Sequence, residues 1–407
     1  MALKQNLAIV EADQNVSQTR AQRLLALSSL LPTINGSVSE HVNQVNLATY
    51  GIQIPGVAAI QGPFQYQDAR ATMTLPILSA PSIQSLRSAR RLEEAAVLSA
   101  SDAREAVVLV VGTEYLAVVQ AHSHVNASNA QVMYAEALHQ QAQNALVAGT
   151  GSRIDETRTA VQLEIERYNL LAAQNSLRVL KITLARSIGV ASGQEFDVVD
   201  TPLAKREGIP SLESLLALAS HDRADLVAAE RTAAAAQLSL SSSKTQRLPA
   251  VSSQIDYGAV GKTFTNSHGT FDFAVGVNFP IFTGGRLSAQ IEQSKTLLDQ
   301  RTAELQNLRA QVDADVRTAY FNLETAEKQV QVATRSVELA NDDLARSRDR
   351  FANGVTDSVE VVQAQQALAA ANEQMITSSN SLNSAALNLA RATGSARHNW
   401  HVILGGN

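Results

Sequence analysis

Two carboxylates occupy positions at which side chains of this protein could act on ions. Asp155 and Glu360 lie 205 residues apart, and each comes three residues after a residue that favours a helix start, Ser152 and Asp357. An acidic side chain in the first turn stabilises a helix, because it faces free backbone N–H groups and the positive end of the helix dipole. The spacing therefore predicts two helix starts, and a purely structural role would explain both carboxylates.

The other residues that could perform chemistry do not group into a site. His122 and His124 are two positions apart on a predicted helix, so they point to different faces and are poor partners for one metal ion. His398 and His401 lie in the C-terminal tail, which we expect to be disordered or loosely docked. The chain lacks cysteine and has no G-x-S-x-G, P-loop, H-E-x-x-H or G-x-G-x-x-G motif. The sequence thus predicts no catalytic residue, no metal site and no cofactor.

Composition limits the class of protein further. The chain has 407 residues with 33 Lys+Arg against 38 Asp+Glu, a net charge of −5, which argues against a nucleic-acid partner. Only 17% of the residues are charged, so uncharged polar residues and alanine must cover much of the surface. The absence of cysteine suits an oxidising compartment. The first residues contain no hydrophobic signal core, which fits either a cytosolic chain or a mature chain whose leader was removed.

The apolar runs are too short for a helix that spans a membrane. The best run, residues 107–119, is interrupted by Thr113 and Glu114, whereas a spanning helix needs about 18 uncharged apolar residues. We therefore expect no membrane-spanning helix.

The positions of the nine prolines allow two very long helical regions, residues 82–201 and 281–407. The second region predicts a helix over 285–352, roughly 100 Å long at 1.5 Å per residue, and a second helix over 357–393. Small or apolar residues recur along the first of these in alternating steps of three and four, which is typical of a coiled-coil seam with close helix approach. The seam residues are Val316, Ala319, Leu323, Ala326, Val330, Ala333, Val337, Ala340 and Leu344.

The two halves of the chain form a tandem repeat. Tyr115 and Tyr320, Gly149 and Gly354, and the segments 184–189 and 389–394 align at the same offset of 205 residues. Upstream segments align at an offset of 217. Each half reads as a helix, two extended segments, a very long helix, a glycine turn and a helix. We therefore predict a first structural repeat over 1–205, a linker over 190–221, a second repeat over 222–394 and a tail over 395–407.

Between the helices the hydrophobic period changes to two. Apolar residues from Phe271 to Ile281 alternate with polar or small ones, and three weaker segments alternate in the same way, which predicts four half-buried strands of roughly ten residues. The pattern fits strands of a membrane barrel, apolar toward lipid and polar toward a lumen, and it equally fits a small soluble sheet packed on helices. Four strands cannot close a barrel in lipid, so in the first case two or three chains must share eight or twelve strands.

In their order, the motifs of the chain resemble the TolC-type outer-membrane efflux protein family over nearly the whole length. Each motif is modest alone, but in this order and repeated in both halves the motifs are specific. The motifs are Leu31-Pro-Thr-Ile with Leu248-Pro-Ala-Val, Phe279-Pro-Ile-Phe-Thr-Gly-Gly-Arg286, Arg223-Ala-Asp-Leu-Val-Ala-Ala-Glu230 and Phe351-Ala-Asn-Gly-Val-Thr-Asp-Ser-Val-Glu360. The Asn6-Leu7 start departs from the Asn-Pro element that relatives usually carry.

The resemblance implies a mixed α+β membrane protein in the cell outer membrane that extends into the periplasm. It implies a homotrimer with a 12-stranded β-barrel and a 12-helix periplasmic tunnel, and it places the 190–221 linker at the equator of that tunnel. The implied function is the passive exit duct of a tripartite efflux or type I secretion system. Its implied partners are a periplasmic adaptor protein, an inner-membrane pump and outer-membrane lipid.

The resemblance also assigns roles to individual residues. It implies a periplasmic entrance gate at Asp155 and Glu360, with Gln363 where relatives can carry a second acid. Converging carboxylates from three chains would favour cations. The two turns between long helices become adaptor-docking tips, and the alternating aromatic residues become a lipid-facing strand. The tip residues are Gly149, Thr150, Gly151, Arg153, Asn353, Gly354, Val355 and Asp357, and the lipid-facing residues are Phe271, Phe273 and Phe279.

A soluble coiled-coil scaffold or adaptor protein is the alternative. The alanine-rich heptads and the missing leader favour it, but it does not explain the alternating phenylalanine strand before Thr283-Gly-Gly. An enzyme ranks third, since no acid, base and nucleophile converge in the sequence.

Overall fold

The computed structural model describes residues 6–191, 193–194, 196–198 and 210–396 of the chain. One order of elements occurs twice, namely helix, strand, strand, long helix and helix, with one short helix between the two series. The first series is α1 (Leu7–Ser28), β1 (Thr33–Asn46), β2 (Ile60–Leu78), α2 (Ala80–Val147) and α3 (Arg153–Ile188). The short helix is α4 (Leu212–Asp222), and the second series is α5 (Ala224–Thr245), β3 (Ala250–Gly261), β4 (Ser267–Asn278), α6 (Arg286–Ala352) and α7 (Ser358–Ala392).

The repeated order agrees with the expected mixture of long helices and four strands per chain. The boundaries proposed for the repeats stay predictions, and the tail with His398 and His401 lies outside the described residues. The residues form two compact units, which we describe separately. The helical unit comprises 1–15, 96–228 and 305–407, and the sheet unit comprises 16–95 and 229–304.

The long helices begin and end where local signals predict. The helix expected over 285–352 spans 67 residues as α6, and the helix expected over 357–393 is α7, with Asp357 as its N-cap. Pro81 lies in the first turn of α2, where a missing N–H costs no intrahelical hydrogen bond. The proline and glycine positions therefore set the helix bounds almost to the residue.

Helices of the helical unit pack closely through small side chains. In one core Val316, Ala319 and Leu323 of α6 are buried with Ala386 and Leu389 of α7. Another core joins Leu344 to Leu138 and Leu368. A Cβ atom at Gly112 would lie 2.6 Å from Cδ2 of Leu387, so α2 and α7 approach to a distance that only glycine permits without a shift. The close approach that the alanine seam predicts is confirmed.

A single antiparallel sheet in the order β1-β2-β3-β4 forms the strand part of the sheet unit. The register aligns Ile34, Met73, Ile255 and Phe273 across the four strands, since each is the direct partner of the next. The neighbouring row consists of Asn35, Thr72, Asp256 and Asp272. Because alternate residues face opposite sides, one face of the sheet is largely apolar and the other polar.

Two details of the strands differ from the sequence prediction. The strands contain 14, 19, 12 and 12 residues rather than about ten. β4 ends at Asn278, so Phe279 lies one residue beyond the strand, and its lipid-facing role stays a prediction. The following Pro280 has no N–H for a ladder hydrogen bond and restricts the backbone before it, which ends the strand one residue early.

The expectation that no helix could span a membrane was too strict. Among the described residues, α2 contains an 18-residue window with a mean hydropathy of 1.4, enough by length and composition to cross a bilayer. In a mean hydropathy over 18 residues, single polar residues such as Thr113 or Glu114 lower the value only slightly. One such helix is weak evidence, because core helices of soluble proteins meet the same criterion.

Candidate functional sites

The first helix turn, residues 147–153, reverses the chain between α2 and α3. Gly149 has a φ of 73°, and its N–H donates to the carbonyl of Leu146 at 3.1 Å. The N–H groups of Thr150 and Gly151 both donate to the carbonyl of Ala145. This arrangement satisfies the last carbonyls of α2 and requires a residue without Cβ strain at position 149.

The second helix turn, residues 352–358, repeats this design between α6 and α7. Gly354 has a φ of 69°, and its N–H donates to Phe351 at 3.0 Å. The side chain of Asp357 then accepts a hydrogen bond from the N–H of Val359, as Ser152 does from Ile154 in the first turn. Both predicted N-caps are confirmed, so part of what the sequence shows at this site is ordinary helix capping.

The structure joins the starts of α3 and α7 through Asp155. The hydroxyl of Ser358 donates to Asp155 Oδ1 at 2.5 Å, and Arg158 Nη1 lies 3.4 Å from the same oxygen. Arg158 also contacts Ser358 Oγ at 3.2 Å, so the three side chains form one cluster. Ser358 is fully buried, which makes this contact an internal link between two helices that are 203 residues apart in the chain.

Glu360 has different partners from Asp155. Its carboxylate accepts a hydrogen bond from Thr356 Oγ1 at 2.5 Å and forms an ion pair with Arg350 at 3.2 Å. It therefore links the end of α6 to the start of α7. Gln363 is exposed one turn later on α7. The two carboxylates that the sequence pairs thus each stabilise a separate contact near a helix turn.

Exposed apolar side chains surround these polar links. Val147 is 89% exposed, and Ile154 and Val355 are also largely exposed. Next to them, Arg153, Ile154, Arg158 and Val161 line an open groove on α3. The two turns therefore present apolar surface with arginine beside it, a composition that suits contact with another protein.

Histidines do not form a metal site in the described part of the chain. His124 Nδ1 lies 2.8 Å from a carboxylate oxygen of Glu373, while His122 contacts Asn126 on its own helix. Among the described residues no group of three or more His, Asp or Glu side chains is placed to hold a metal ion.

The apolar face of the sheet is exposed to a degree that is unusual for a soluble protein. Phe271 is 80% exposed and Ile34 70% exposed on the apolar face, whereas Asp256 on the polar face is only 6% exposed. A small soluble sheet would cover its apolar side with helices. Apolar residues on the outer face and polar residues on the inner face are instead what the strands of a membrane barrel require.

A family model described as outer membrane efflux protein matches residues 1–190 and 215–395. The chain belongs to this family. The resemblance carried by the proline and glycine motifs is thereby confirmed, and so is the expected location in the outer membrane.

Individual relatives agree with this assignment. The outer membrane efflux protein BepC of Brucella suis is 30% identical over 268 residues, which cover 62% of this chain and 57% of BepC. The probable efflux pump outer membrane protein SepC of Pseudomonas putida is 23% identical over 404 residues, 97% of this chain and 81% of SepC. The chain thus matches little more than half the length of BepC.

Solved structures share the fold. The outer membrane protein VceC of Vibrio cholerae has a TM-score of 0.83 to this chain, with 16% sequence identity, and the match covers 97% of this chain and 94% of VceC. At this identity the likeness concerns the fold alone.

The helical unit also contains an ion cluster around the buried Arg223, which the sequence prediction did not include. Arg223, between α4 and α5, donates to Asp225 through Nε and Nη2 and to Asp315 on α6 through Nη1 at 2.9 Å. Its side chain is only 8% exposed. Nearby, Arg391 on α7 donates to Asp102 on α2 at 2.6 Å. The contacts of Arg223 thus join the start of α5 to α6, and the pair of Arg391 with Asp102 joins α7 to α2.

Glycine allows the end of α7 to reach this cluster. Gly394 has a φ of 74°, and a Cβ atom there would lie 2.9 Å from Cα of Arg223. A signal for the cluster existed in the sequence, because Arg223 and Asp225 belong to a family motif. At the 217-residue offset the first repeat has Asn6 in place of Arg223, and Asn6 caps α1 through its side chain.

The cluster predicts acid sensitivity. Burial acts to raise the pKa of Asp225, but hydrogen bonds and charge from Arg223 outweigh burial and hold the pKa below its ordinary value of 3.8. Since the unfolded chain binds this proton more tightly, ionised Asp225 stabilises the fold at pH above 3.8, and this contribution is lost as the pH falls through the lower folded-state pKa. We expect Asp225→Asn to flatten the stability profile of the detergent-solubilised protein below pH 4, as measured by thermal unfolding.

The pKa of Asp102 is shifted in the opposite direction to that of Asp225, so Asp102 serves as a comparison. Burial raises its pKa despite the opposing effect of Arg391, so its ionised form is less favoured in the fold than in the unfolded chain. Asp102→Asn should therefore leave the acid-side loss of stability in place. If Asp225→Asn and Asp102→Asn flattened the stability profile below pH 4 equally, the acid-side loss of stability could not be assigned to Asp225.

Proposed function

We propose that three copies of this chain form a twelve-stranded barrel in the outer membrane and a twelve-helix tunnel in the periplasm. The assembly is the passive exit duct of a tripartite efflux or type I secretion system. The observation that carries this proposal is the sheet with an extended exposed apolar face and, on its other face, polar residues such as the buried Asp256. In this sheet β1 and β4 are edge strands, and lipid does not tolerate open edges, so strands of further copies must complete the barrel.

The mass of the detergent-extracted particle tests the assembly. Light scattering, with the detergent contribution subtracted, should give about 3 × 43.4 kDa, roughly 130 kDa, for a particle that requires detergent. A monodisperse soluble monomer or dimer would contradict the duct and favour the soluble scaffold.

The two helix turns are the surface that docks the periplasmic adaptor in this proposal. Gly149, Gly151 and Gly354 shape the turns, and Val355 with Arg153 belongs to the exposed surface around them. Thr150, Asn353 and Asp357 complete the docking surface. Exposed apolar groups beside arginine favour a partner with apolar and acidic groups. The duct has no energy-coupling motif, so the driving force must come from an inner-membrane pump.

Asp155 and Glu360 keep the tunnel entrance closed until the adaptor docks. Each carboxylate holds the start of α7, Asp155 through Ser358 on the side of α3 and Glu360 through Arg350 on the side of α6. Release of both contacts frees α7 at its N-terminal end. Gln363 supplies no charge, so a cation-binding ring at the entrance depends on the two acids.

Removing the Asp155 contact should open the entrance. A hydrogen bond to a charged group contributes about 2 kcal/mol, a factor of roughly thirty in an equilibrium constant, so Asp155→Ala should raise the mean conductance in planar bilayers up to about thirty-fold if the loss of one such contact limits opening. Ser358→Ala should act in the same direction. Glu164→Gln removes the same charge from an exposed position of α3 and should not change conductance. Equal conductance of all three variants and the unmodified protein would contradict the gate.

A further inference from the structure

Two aspartates on the polar face of the sheet are placed where they reduce its stability. Asp256 on β3 and Asp272 on β4 are direct partners in the register and therefore face the same side. Cβ atoms of such partners lie about 4.5–5.5 Å apart, and like charges there destabilise a sheet. A local feature that works against the fold is expected mainly at functional positions.

Arg70 is fixed next to this pair. Its Nε donates to Asp68 Oδ1 at 2.9 Å, and its Nη1 donates to Asp256 on the neighbouring strand. Thr72 Oγ1 also donates to Asp256, at 2.9 Å. Asp256 is thus compensated by a cation and a hydroxyl, whereas Asp272 lies one strand further from Arg70.

Gly258 provides the space in which Arg70 lies. It is the direct partner of Arg70 on β3, and a Cβ atom at this position would overlap the Cβ atom of Arg70 and lie 2.8 Å from the carbonyl oxygen of Ala69. Any side chain at position 258 would displace Arg70 from the strand surface. Gly258 thus leaves room for Arg70, and the hydrogen bonds to Asp68 and Asp256 place the guanidinium on the polar face.

We propose that Arg70, Asp256 and Asp272 determine the charge preference of the barrel lumen. Asp272 favours cations, and Arg70 limits this preference by compensating Asp256. The inference rests on the proposed function, because the polar face lines water only in a closed barrel. On the described strands this face carries Asp68, Asp256 and Asp272 against Arg70, so its charge is 1 − 3 = −2 per chain. The fixed charges act on ions in the lumen through their electric field, without a binding site.

Reversal potentials across planar bilayers under a KCl gradient test the inference in the full chain. Asp272→Asn should lower the K⁺ to Cl⁻ permeability ratio about two-fold near 0.1 M salt, where the field reaches about 10 Å. Arg70→Gln should raise the ratio by a similar factor. Both differences should vanish near 1 M salt, where the field reaches only about 3 Å. Because Asp155 and Glu360 are unchanged in all of these variants, a difference in reversal potential between variants reports the charges of the lumen.

Glu40→Gln is the matched control, because it removes one carboxylate from the opposite face of the same sheet, where Glu40 accepts a hydrogen bond from Gln65. This variant should keep the ratio of the unmodified protein. If Asp272→Asn forms trimers of normal mass with an unchanged reversal potential at low salt, the inference is wrong and the duct stands. If the unmodified protein forms no conducting trimers, the proposed function itself fails. Should Arg70→Gln not fold, Asp272→Asn at its exposed position decides alone.

Discussion

Replacing Phe273 with lysine should prevent the chain from assembling in a membrane. Phe273 belongs to the apolar face of β4 and is exposed in the single chain, where the proposed barrel meets lipid. A lysine on the lipid face near the bilayer midplane costs about 2–4 kcal/mol, and a trimer carries this cost three times. We expect the fraction of trimer formed after refolding into lipid vesicles to fall at least ten-fold, as measured by mass and by protease protection.

The adjacent residue offers a control of the same charge on the other face. Ala274 is the direct partner of Gln254 on the polar side, where a lysine would meet water. Ala274→Lys should therefore assemble nearly as well as the unmodified chain. Equal losses in both variants, or normal assembly of Phe273→Lys, would show that the apolar face of β4 does not contact lipid.

Replacing Arg223 with methionine should destabilise the helical unit by about 3 kcal/mol, because the substitution keeps apolar volume but leaves two partly buried carboxylates without their cation. Asp225 and Asp315 both depend on Arg223, whose side chain is almost fully buried. Denaturant unfolding of the detergent-solubilised protein, followed by circular dichroism, measures this loss. Arg317→Ala breaks an exposed pair with Asp313 on the same helix α6 and should cost far less, because water screens such a pair.

A double substitution distinguishes charge from packing at this cluster. If uncompensated carboxylates cause the loss, Asp225→Asn combined with Asp315→Asn should recover much of the stability of the Arg223→Met chain. Failure to recover any stability would mean that the guanidinium contributes mainly through its packing against the end of α7 near Gly394.

Local signals in the sequence determined the elements. Proline positions, the glycines of the two turns and the capping residues Ser152 and Asp357 predicted the long helices almost to the residue. These signals act through backbone hydrogen bonds within a few residues, so no tertiary contact is needed for them. The alternation of strand residues is likewise local, but it did not give the strand lengths, and β4 ends at Asn278, two residues before Pro280.

Pairs of side chains that are distant in the chain were not predictable. Ser358 meets Asp155 across 203 residues, and Arg223 meets Asp315 across 92. The periodicity of a helix defines which residues share its face, but it does not fix how far that helix slides along its neighbour. Only packing of the alanine seams sets this position, and a shift of one turn would give each carboxylate another partner.

The sequence by itself determined the long helices, the strands and the family of this protein, because each depends on local patterns or on motif order. Only the tertiary structure showed that Asp155 links α3 to α7 while Glu360 links α6 to α7. It also showed that Arg223 is buried next to two carboxylates and that Asp256 lies opposite Asp272. The physical reason is that these contacts depend on the register between separate helices and between separate strands. Register is set by the packing of whole faces, which no short stretch of sequence contains.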